Sequence, residues 1–238
     1  MRRRPSEVSI ALSFLLAAAA AYAQNTVPDT LEQRVKACAA CHGDYGEGLQ
    51  KRNEYYPRLA GKPAGYLYNQ LINFRDKRRE LAIMNYMVAF LSDQYLAEIA
   101  EHYAKLQPPL TPPSPRAPAE AMALGERLVH QGDPARAIPS CAACHGKALT
   151  GVEPAIPGLI GLYPPYISAQ MGAWQAGKRH AMKPDCMREV ALKLTPSDIA
   201  AVTAFLVAQP LPADARPAAA DSLGSLPIEC GGISVPKK

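Results

Sequence analysis

Apolar residues recur three and four positions apart near the end of each half of this 238-residue chain. The repeated apolar positions are Leu96, Ile99 and Tyr103 in the first half, and Ile199, Val202 and Leu206 in the second. Ser92 and Thr195 precede these sets and favour a helix start, because their hydroxyls can cap a first turn. Pro196 is also typical of a first helical turn, and Thr30 with Gln33 resembles a capping box. No segment alternates with the period of a strand, so the pattern predicts an all-α fold.

The two halves of the chain are copies of one unit. The segment Cys38–His42, of sequence CAACH, recurs unchanged as Cys141–His145. Six positions of the middle segment also match: Pro57, Leu59, Gly61, Tyr66, Gln70 and Phe74 correspond to Pro157, Leu159, Gly161, Tyr166, Gln170 and Trp174. Met84 and Met187 then each stand seven residues before a leucine. Repetition over this length indicates an internal duplication.

A proline-rich stretch separates the two copies. Residues 107–119 hold six prolines, which favour an extended, semi-stiff spacer over a regular helix. We therefore predict a domain at residues 24–106, a linker at 107–119, a second domain at 120–212 and a tail at 213–238. The tail lacks periodicity and is expected to lie over the surface. Each domain is small enough that a buried prosthetic group would supply much of its apolar core.

The N-terminus carries the marks of an export signal. Three arginines at positions 2–4, an apolar run over residues 8–21 and the small-x-small sequence at residues 21–23 predict a signal peptide at residues 1–23. An uncleaved anchor is the alternative. No other apolar run is long enough to cross a bilayer, so no transmembrane segment is expected in the mature chain.

The charge of the chain argues against a nucleic-acid partner. The full chain has a net charge of +5, and removal of the leader, with three Arg and one Glu, lowers it to +3. Little positive charge is then left for binding phosphates.

Both copies contain Cys-x-x-Cys-His, the attachment motif of a c-type haem. On one helical turn Cys38 and Cys41 point the same way and can bond two vinyl groups, while His42 can reach the iron. Cys141, Cys144 and His145 repeat the arrangement. The alternatives are a redox Cys-x-x-Cys, which needs no adjacent histidine, and half of a zinc site, which prefers four ligands close together. The motif therefore predicts two covalently bound haem c groups as cofactors.

The second axial ligand decides between a carrier and a catalyst, because a methionine fills the iron site and raises its potential. Met84 and Met187 are our predicted ligands, since they occupy matched places in the two copies. The other candidates have no methionine mate and fit core packing equally well. These are Met87 in the first copy and Met171 and Met182 in the second. His102 and His130 lack mates too, and His180 stays a minor candidate because it precedes Met187.

Outer-shell contacts can be anticipated from the same repeat. A proximal histidine normally donates its second ring N–H to an acceptor, and the carbonyl of Pro57 or Pro157 is well placed to accept it. A plain turn is the alternative for these prolines. The repeated aromatic residues are expected to pack, namely Tyr66, Phe74, Tyr166 and Trp174. Cys186 and Cys230 remain after haem attachment, and an even pair in an oxidising compartment suggests a disulfide.

These residues together resemble the dihaem cytochrome c4 family of bacterial class I cytochromes c. The resemblance rests on the paired CAACHG motifs, Pro-x-Leu-Ala-Gly at residues 57–61, Tyr-Leu-x-x-Gln-Leu at 66–71 and Met84 before Leu-Ser-Asp at 91–93. It implies two tandem class I domains related by a pseudo-twofold axis, periplasmic residence and electron delivery to a membrane-bound terminal oxidase. The Cys186 and Cys230 pair and the tail depart from the pattern.

We therefore expect a periplasmic electron carrier rather than an enzyme. A quinol-oxidising complex or a dehydrogenase would be its donor, and a terminal oxidase its acceptor. The first alternative is the cytochrome subunit of a periplasmic dehydrogenase complex. The second is a dihaem peroxidase, which needs a vacant site on one iron and is disfavoured by a methionine in both copies.

Overall fold

The structure is a computed structural model that describes residues 29–51, 54–110 and 117–233. The signal peptide predicted at residues 1–23 and the middle of the linker lie outside the described residues. The described part is mainly helical, as the sequence pattern predicts, and the two domains follow one another along the chain.

The first domain consists of four helices and one short hairpin. They are α1 (Leu31–His42), β1 (Leu49–Lys51), β2 (Glu54–Tyr56), α2 (Ala64–Arg75), α3 (Ala82–Val88) and α4 (Asp93–Lys105). The Thr30 hydroxyl accepts from the N–H of Gln33, and the Ser92 hydroxyl accepts from the N–H of Tyr95, so both predicted helix starts are confirmed. The predicted inner face of α4 is buried against α2.

The second domain repeats this order with one main difference. It contains α5 (Ala119–His130), α6 (Ala142–His145), β3 (Gly151–Val152), β4 (Ile156–Pro157), α7 (Pro164–Gln175), α8 (Cys186–Lys193) and α9 (Pro196–Val207). The haem motif stands on the single turn α6, separated from the preceding helix by a loop, whereas in the first domain α1 runs directly through it. Thr195 and Asp198 form a full capping box at the start of α9.

A close crossing of α5 and α9 forms the core of the second domain. Gly125 permits it, because a Cβ at this position would lie 2.2 Å from the carbonyl oxygen of Ala201. Leu128 and Val129 of α5 pack there against Phe205 of α9, and all three are buried. The first domain has two smaller buried clusters, one of which includes Met84 at its edge.

The two domains meet along paired backbone segments that the sequence did not reveal. An isolated antiparallel bridge joins Arg79 to Arg179. The N–H of His180 donates to the Arg78 carbonyl over 2.6 Å, and the N–H of Glu80 donates to the second domain over 2.8 Å. The two copies are thus held together at equivalent positions.

The tail does more than lie over the surface as expected. Ala218 forms a parallel bridge with Val152, and its N–H donates to Gly151 over 2.9 Å. Further on, a disulfide joins Cys186 to Cys230 with 5.0 Å between the Cα atoms, which confirms the predicted pairing. The tail is therefore tied to the second domain at two separate places.

No single helix in residues 29–51, 54–110 and 117–233 has both the length and the apolar character to cross a membrane. The pair α8 and α9 meets the criteria of length and composition only when joined, and it is bent by 112°.

Candidate haem sites

The attachment motif of the first domain occupies the last turn of α1. Cys38 and Cys41 are half-buried, and His42 is buried at the end of the helix. The helix stops at Gly43, whose φ of 87° places the backbone where glycine is favoured and whose N–H donates to the Ala39 carbonyl. One turn thus carries two thiols and one imidazole into the same interior.

Both motif histidines have the same outer-shell partner. Nδ1 of His42 lies 2.8 Å from the Pro57 carbonyl oxygen, and Nδ1 of His145 lies 2.8 Å from that of Pro157. A carbonyl can only accept, so Nδ1 carries the proton and donates, which leaves the Nε2 lone pair free for a metal. The prediction that these prolyl carbonyls orient the histidines is confirmed.

Burial favours the neutral form of both imidazoles. Desolvation is the largest cause that lowers the pKa of His42 and of His145, and the bonds to Pro57 and Pro157 oppose it only in part. A neutral imidazole is the form that ligates iron, because a protonated ring has no free lone pair. The surroundings therefore prepare each histidine to act as a ligand.

The motif cysteines do not have the surroundings of redox thiols. Burial raises the pKa of Cys38 and Cys144, and it raises the pKa of Cys141 to about 11. A redox or zinc-binding Cys-x-x-Cys depends on a stabilised thiolate and a lowered pKa. These three thiols are instead stabilised in the protonated form, which agrees better with thioether attachment than with either alternative.

The second domain encloses a cavity with a largely apolar lining. Cys141, Cys144 and His145 line one side of it. Met187 also lines the cavity, and so do the other second-domain candidates: Met171, Met182 and His180. The geometry does not choose among them, so the assignment of Met187 rests on the repeat and stays a prediction.

In the first domain, Met84 lies on α3 and packs against a buried cluster that includes Phe74 and Leu96. Met87 lies on the same helix and is also half-buried. The assignment of Met84 likewise stays a prediction, supported by its matched place in the repeat.

The cavity of the second domain suits a haem in both its apolar and its polar parts. Ile167, Val202 and Leu206 supply apolar lining, as a porphyrin face requires. The indole N–H of Trp174 is buried at the same cavity without a hydrogen-bond partner among the described residues. A carboxylate on a porphyrin would satisfy such a donor, since buried N–H groups are rarely left unpaired. The residues present therefore fit the group that the motif predicts.

Two arginines and two glutamines bind one another across the domain boundary. Arg79 donates to Gln70 Oε1 over 2.9 Å and to Gln170 Oε1 over 2.6 Å. Arg179 donates to the same two oxygens, over 3.1 Å for Gln70 and 2.7 Å for Gln170. The hydroxyls of two tyrosines that we expected only to pack also accept from these arginines, namely Tyr66 from Arg179 and Tyr166 from Arg79.

This boundary holds buried positive charge without acidic partners. Among the described residues, the ion pairs of the protein include neither Arg79 nor Arg179, and both guanidinium groups are buried. Burial acts to raise the pKa of Tyr166, but Arg79 and Arg179 outweigh it, and the pKa falls to about 8. The two guanidinium groups thus favour the ionised form of Tyr166.

The fold and the two histidine sites define a class I c-type cytochrome with two haem domains. The family model for cytochrome c matches residues 122–209. Over 174 residues the chain is 41% identical to a thiosulfate dehydrogenase electron acceptor from Thiomonas intermedia, covering 73% of this chain and 79% of that protein. It is 30% identical over 177 residues to cytochrome c4 from Pseudomonas aeruginosa, covering 74% and 85%. The chain belongs to the dihaem cytochrome c4 family, and it carries two covalently bound haem c groups.

Solved structures agree with this assignment. Reduced cytochrome c4 from Pseudomonas stutzeri matches with a TM-score of 0.64 and 28% identity, covering 74% of this chain and 95% of that one. A thiosulfate dehydrogenase (TsdBA) from Marichromatium purpuratum matches with a TM-score of 0.63 and 31% identity over 73% of this chain. The present chain covers only 36% of that longer chain.

Proposed function

We propose that this chain is a periplasmic electron acceptor for a thiosulfate-oxidising dehydrogenase, and that it passes the electrons to a membrane-bound terminal oxidase. The observation that carries the proposal is the 41% identity over 79% of the T. intermedia protein, whose name states the acceptor role. A second protein with that name, from Stutzerimonas stutzeri, is 36% identical over 77% of its length. Of the two donor classes predicted from the sequence, a dehydrogenase thereby becomes the leading candidate.

The residues of the two sites fit an electron carrier. His42 and Met84 in one domain, and His145 and Met187 in the other, would hold each iron from both sides. Such closed coordination leaves no position for peroxide, and a thioether ligand favours a high potential. Each haem, when bound, takes up and releases one electron at its iron. We propose no reaction of the protein's own.

The surface beside Met84 is the docking surface we propose for the donor. This apolar surface consists of Leu81, Ile83, Tyr86 and Phe90. Phe90 is 96% exposed, and Tyr86 is 75% exposed. The equivalent positions of the second domain are Pro184, Cys186, Glu189 and Lys193. There the disulfide and two charged residues replace the apolar surface. An electron donor would therefore bind more readily to the first domain, next to its haem.

Stopped-flow reduction of the oxidised dihaem protein tests the proposal. Under nitrogen and with excess thiosulfate, a purified thiosulfate dehydrogenase should reduce both haems. The rate of reduction should match the turnover rate of the dehydrogenase. The double variant Tyr86→Ser and Phe90→Ser should lower the second-order rate constant at least tenfold without a change of reduction potential. The matched control is Leu192→Ser, which alters a half-exposed residue of the second domain and should leave the rate unchanged.

Three outcomes would contradict the proposal. Reduction no faster than that by thiosulfate alone would exclude the donor class and favour a donor such as a quinol-oxidising complex. Equal rates for the double variant and the wild type would exclude the docking surface. Rapid stoichiometric carbon monoxide binding to one reduced haem at neutral pH would instead favour a peroxidase.

A further inference from the structure

Lys62 belongs to the first domain but lies at the haem cavity of the second. It follows Gly61 in the Pro-x-Leu-x-Gly segment and is held just before α2. Only 8% of the residue is exposed, and it lines the cavity together with His145 and Trp174. A lysine is rarely buried to this extent unless an anion accompanies it.

No acidic residue accompanies Lys62 among those the structure describes. The ion pairs of that part of the chain do not include its ammonium group, and its backbone N–H donates to the Leu59 carbonyl over 3.4 Å. Burial is the largest cause that lowers the pKa of Lys62, to about 8. The charge of Tyr166 opposes this shift, and the neighbouring arginines act in the same direction as burial. The site thus contains a desolvated cation without a carboxylate partner among the described residues.

The repeat shows that this charge is present on one side only. Gly61 corresponds to Gly161, and the residue after Gly161 is Leu162, which packs against the apolar core of its own domain. The two copies therefore differ in charge at this position, although their haem motifs are identical.

We propose that Lys62 is a positioning residue that pairs, across the domain boundary, with a propionate of the C-terminal haem and raises the reduction potential of that haem above that of the other. A nearby cation favours the ferrous state, which carries one positive charge fewer than the ferric state. An electron that enters at the first domain then moves to the second. The inference rests on the haem content and does not depend on which dehydrogenase is the donor.

A potentiometric titration of the dihaem protein at fixed pH tests this, with the two haems distinguished by their paramagnetic NMR signals. Lys62→Gln should lower the potential of the C-terminal haem and narrow the separation between the two. Lys62→Arg should largely restore it, because the charge is kept. The control is Lys178→Gln, which removes an exposed charge near the same boundary and should change neither potential.

The proposal is overturned if Lys62→Gln leaves both potentials unchanged, or if it shifts the two haems equally. A folding defect would be recognised by loss of covalent haem from Lys62→Gln. In that case the Lys62→Arg variant alone tests the proposal. A wild-type separation between the two haem potentials supports the role of the charge, and a much smaller separation with both haems intact refutes it. None of these results depends on thiosulfate, so this test and that of the donor fail independently.

Discussion

The disulfide between Cys186 and Cys230 allows a quantitative prediction about the second domain. It closes a segment of 44 residues that contains α8, α9 and most of the tail. Cys186 is the first residue of α8 and directly precedes Met187. The double variant Cys186→Ala and Cys230→Ala removes the cross-link without leaving a free thiol.

The expected loss follows from the freedom that the unfolded chain regains. For a closed segment of 44 residues, loop-closure entropy corresponds to about 4 kcal/mol at 25 °C. This is an upper value, because the unfolded chain keeps residual structure and the folded variant can release part of its tail, which is held near the cross-link by hydrogen bonds. The N–H of Gly231 donates to the Pro184 carbonyl over 2.9 Å, and Asn69 donates to Gly232 over 2.7 Å. We expect the double variant to lose about 2 to 4 kcal/mol of unfolding free energy.

Guanidinium unfolding of the dihaem protein provides the measurement. Each domain is followed through its own haem, since the two domains need not unfold together. The midpoint should fall for the C-terminal domain and stay constant for the N-terminal one. A loss below about 1 kcal/mol, or an equal loss in both domains, would refute the reasoning that the cross-link acts on the second domain through chain entropy.

Three further predictions concern single positions. Asp198→Asn should lower the free energy of unfolding by about 2 kcal/mol at pH 6, because hydrogen bonds from Arg136 lower the pKa of Asp198 from 3.8 to about 2. This contribution to stability is complete above about pH 4 and is lost as the pH falls through about 2. The urea midpoints of the variant and the wild type should therefore converge at that acid limit. Gly125→Ala should lower the free energy of unfolding by about 1 to 3 kcal/mol or more, measured by thermal unfolding, because its Cβ would meet Ala201 and Phe205. The control Gly172→Ala, with nothing within 4 Å of its Cβ, should be neutral or slightly stabilising. Met84→Ala and Met187→Ala should each remove the methionine-to-iron charge-transfer band from one haem only, and a band that persists from both haems would exclude the substituted residue as a ligand.

The parts of the fold that local rules govern were readable in the sequence. Ser92 and Thr195 cap their helices as predicted. In each case the side-chain hydroxyl accepts a hydrogen bond from the backbone N–H three residues later. The haem motif and its prolyl acceptors were also readable. A short motif fixes its own geometry on one turn, and duplication marked Pro57 and Pro157 as equivalent.

Contacts between distant segments were not readable in the same way. The hairpins β1–β2 and β3–β4 have strands of only two or three residues, too short for any alternation to appear. The tail pairs with Val152 through backbone atoms, which leave no pattern of residue types. The missed tail contacts are therefore of a kind that composition and periodicity do not record.

The arginine pair was different, because a signal for it existed. Arg79 and Arg179 stand at the same spacing as Tyr66 and Tyr166, and the structure pairs them directly. The offset between the two copies is thus the same from the middle segment to Arg179. The extra residues of the second copy therefore lie between Arg179 and Met187. A buried arginine repeated in both copies has no acidic partner among the described residues, and glutamine and tyrosine oxygens accept its hydrogen bonds instead.

Duplication alone would give two haem sites of the same potential, and an electron shared between them would have no preferred direction. The departures from symmetry are therefore the features that can give one. Lys62 adds charge at the haem cavity of the second domain, whereas its counterpart Leu162 is uncharged. The disulfide-tied tail covers a position that is open and apolar in the first domain. Both differences favour entry at the first domain and residence at the second. If Lys62 sets the potentials and the surface around Phe90 sets the docking, each can be changed without the other. A variant at Lys62 should then alter the final distribution of the electron but not the initial rate of reduction.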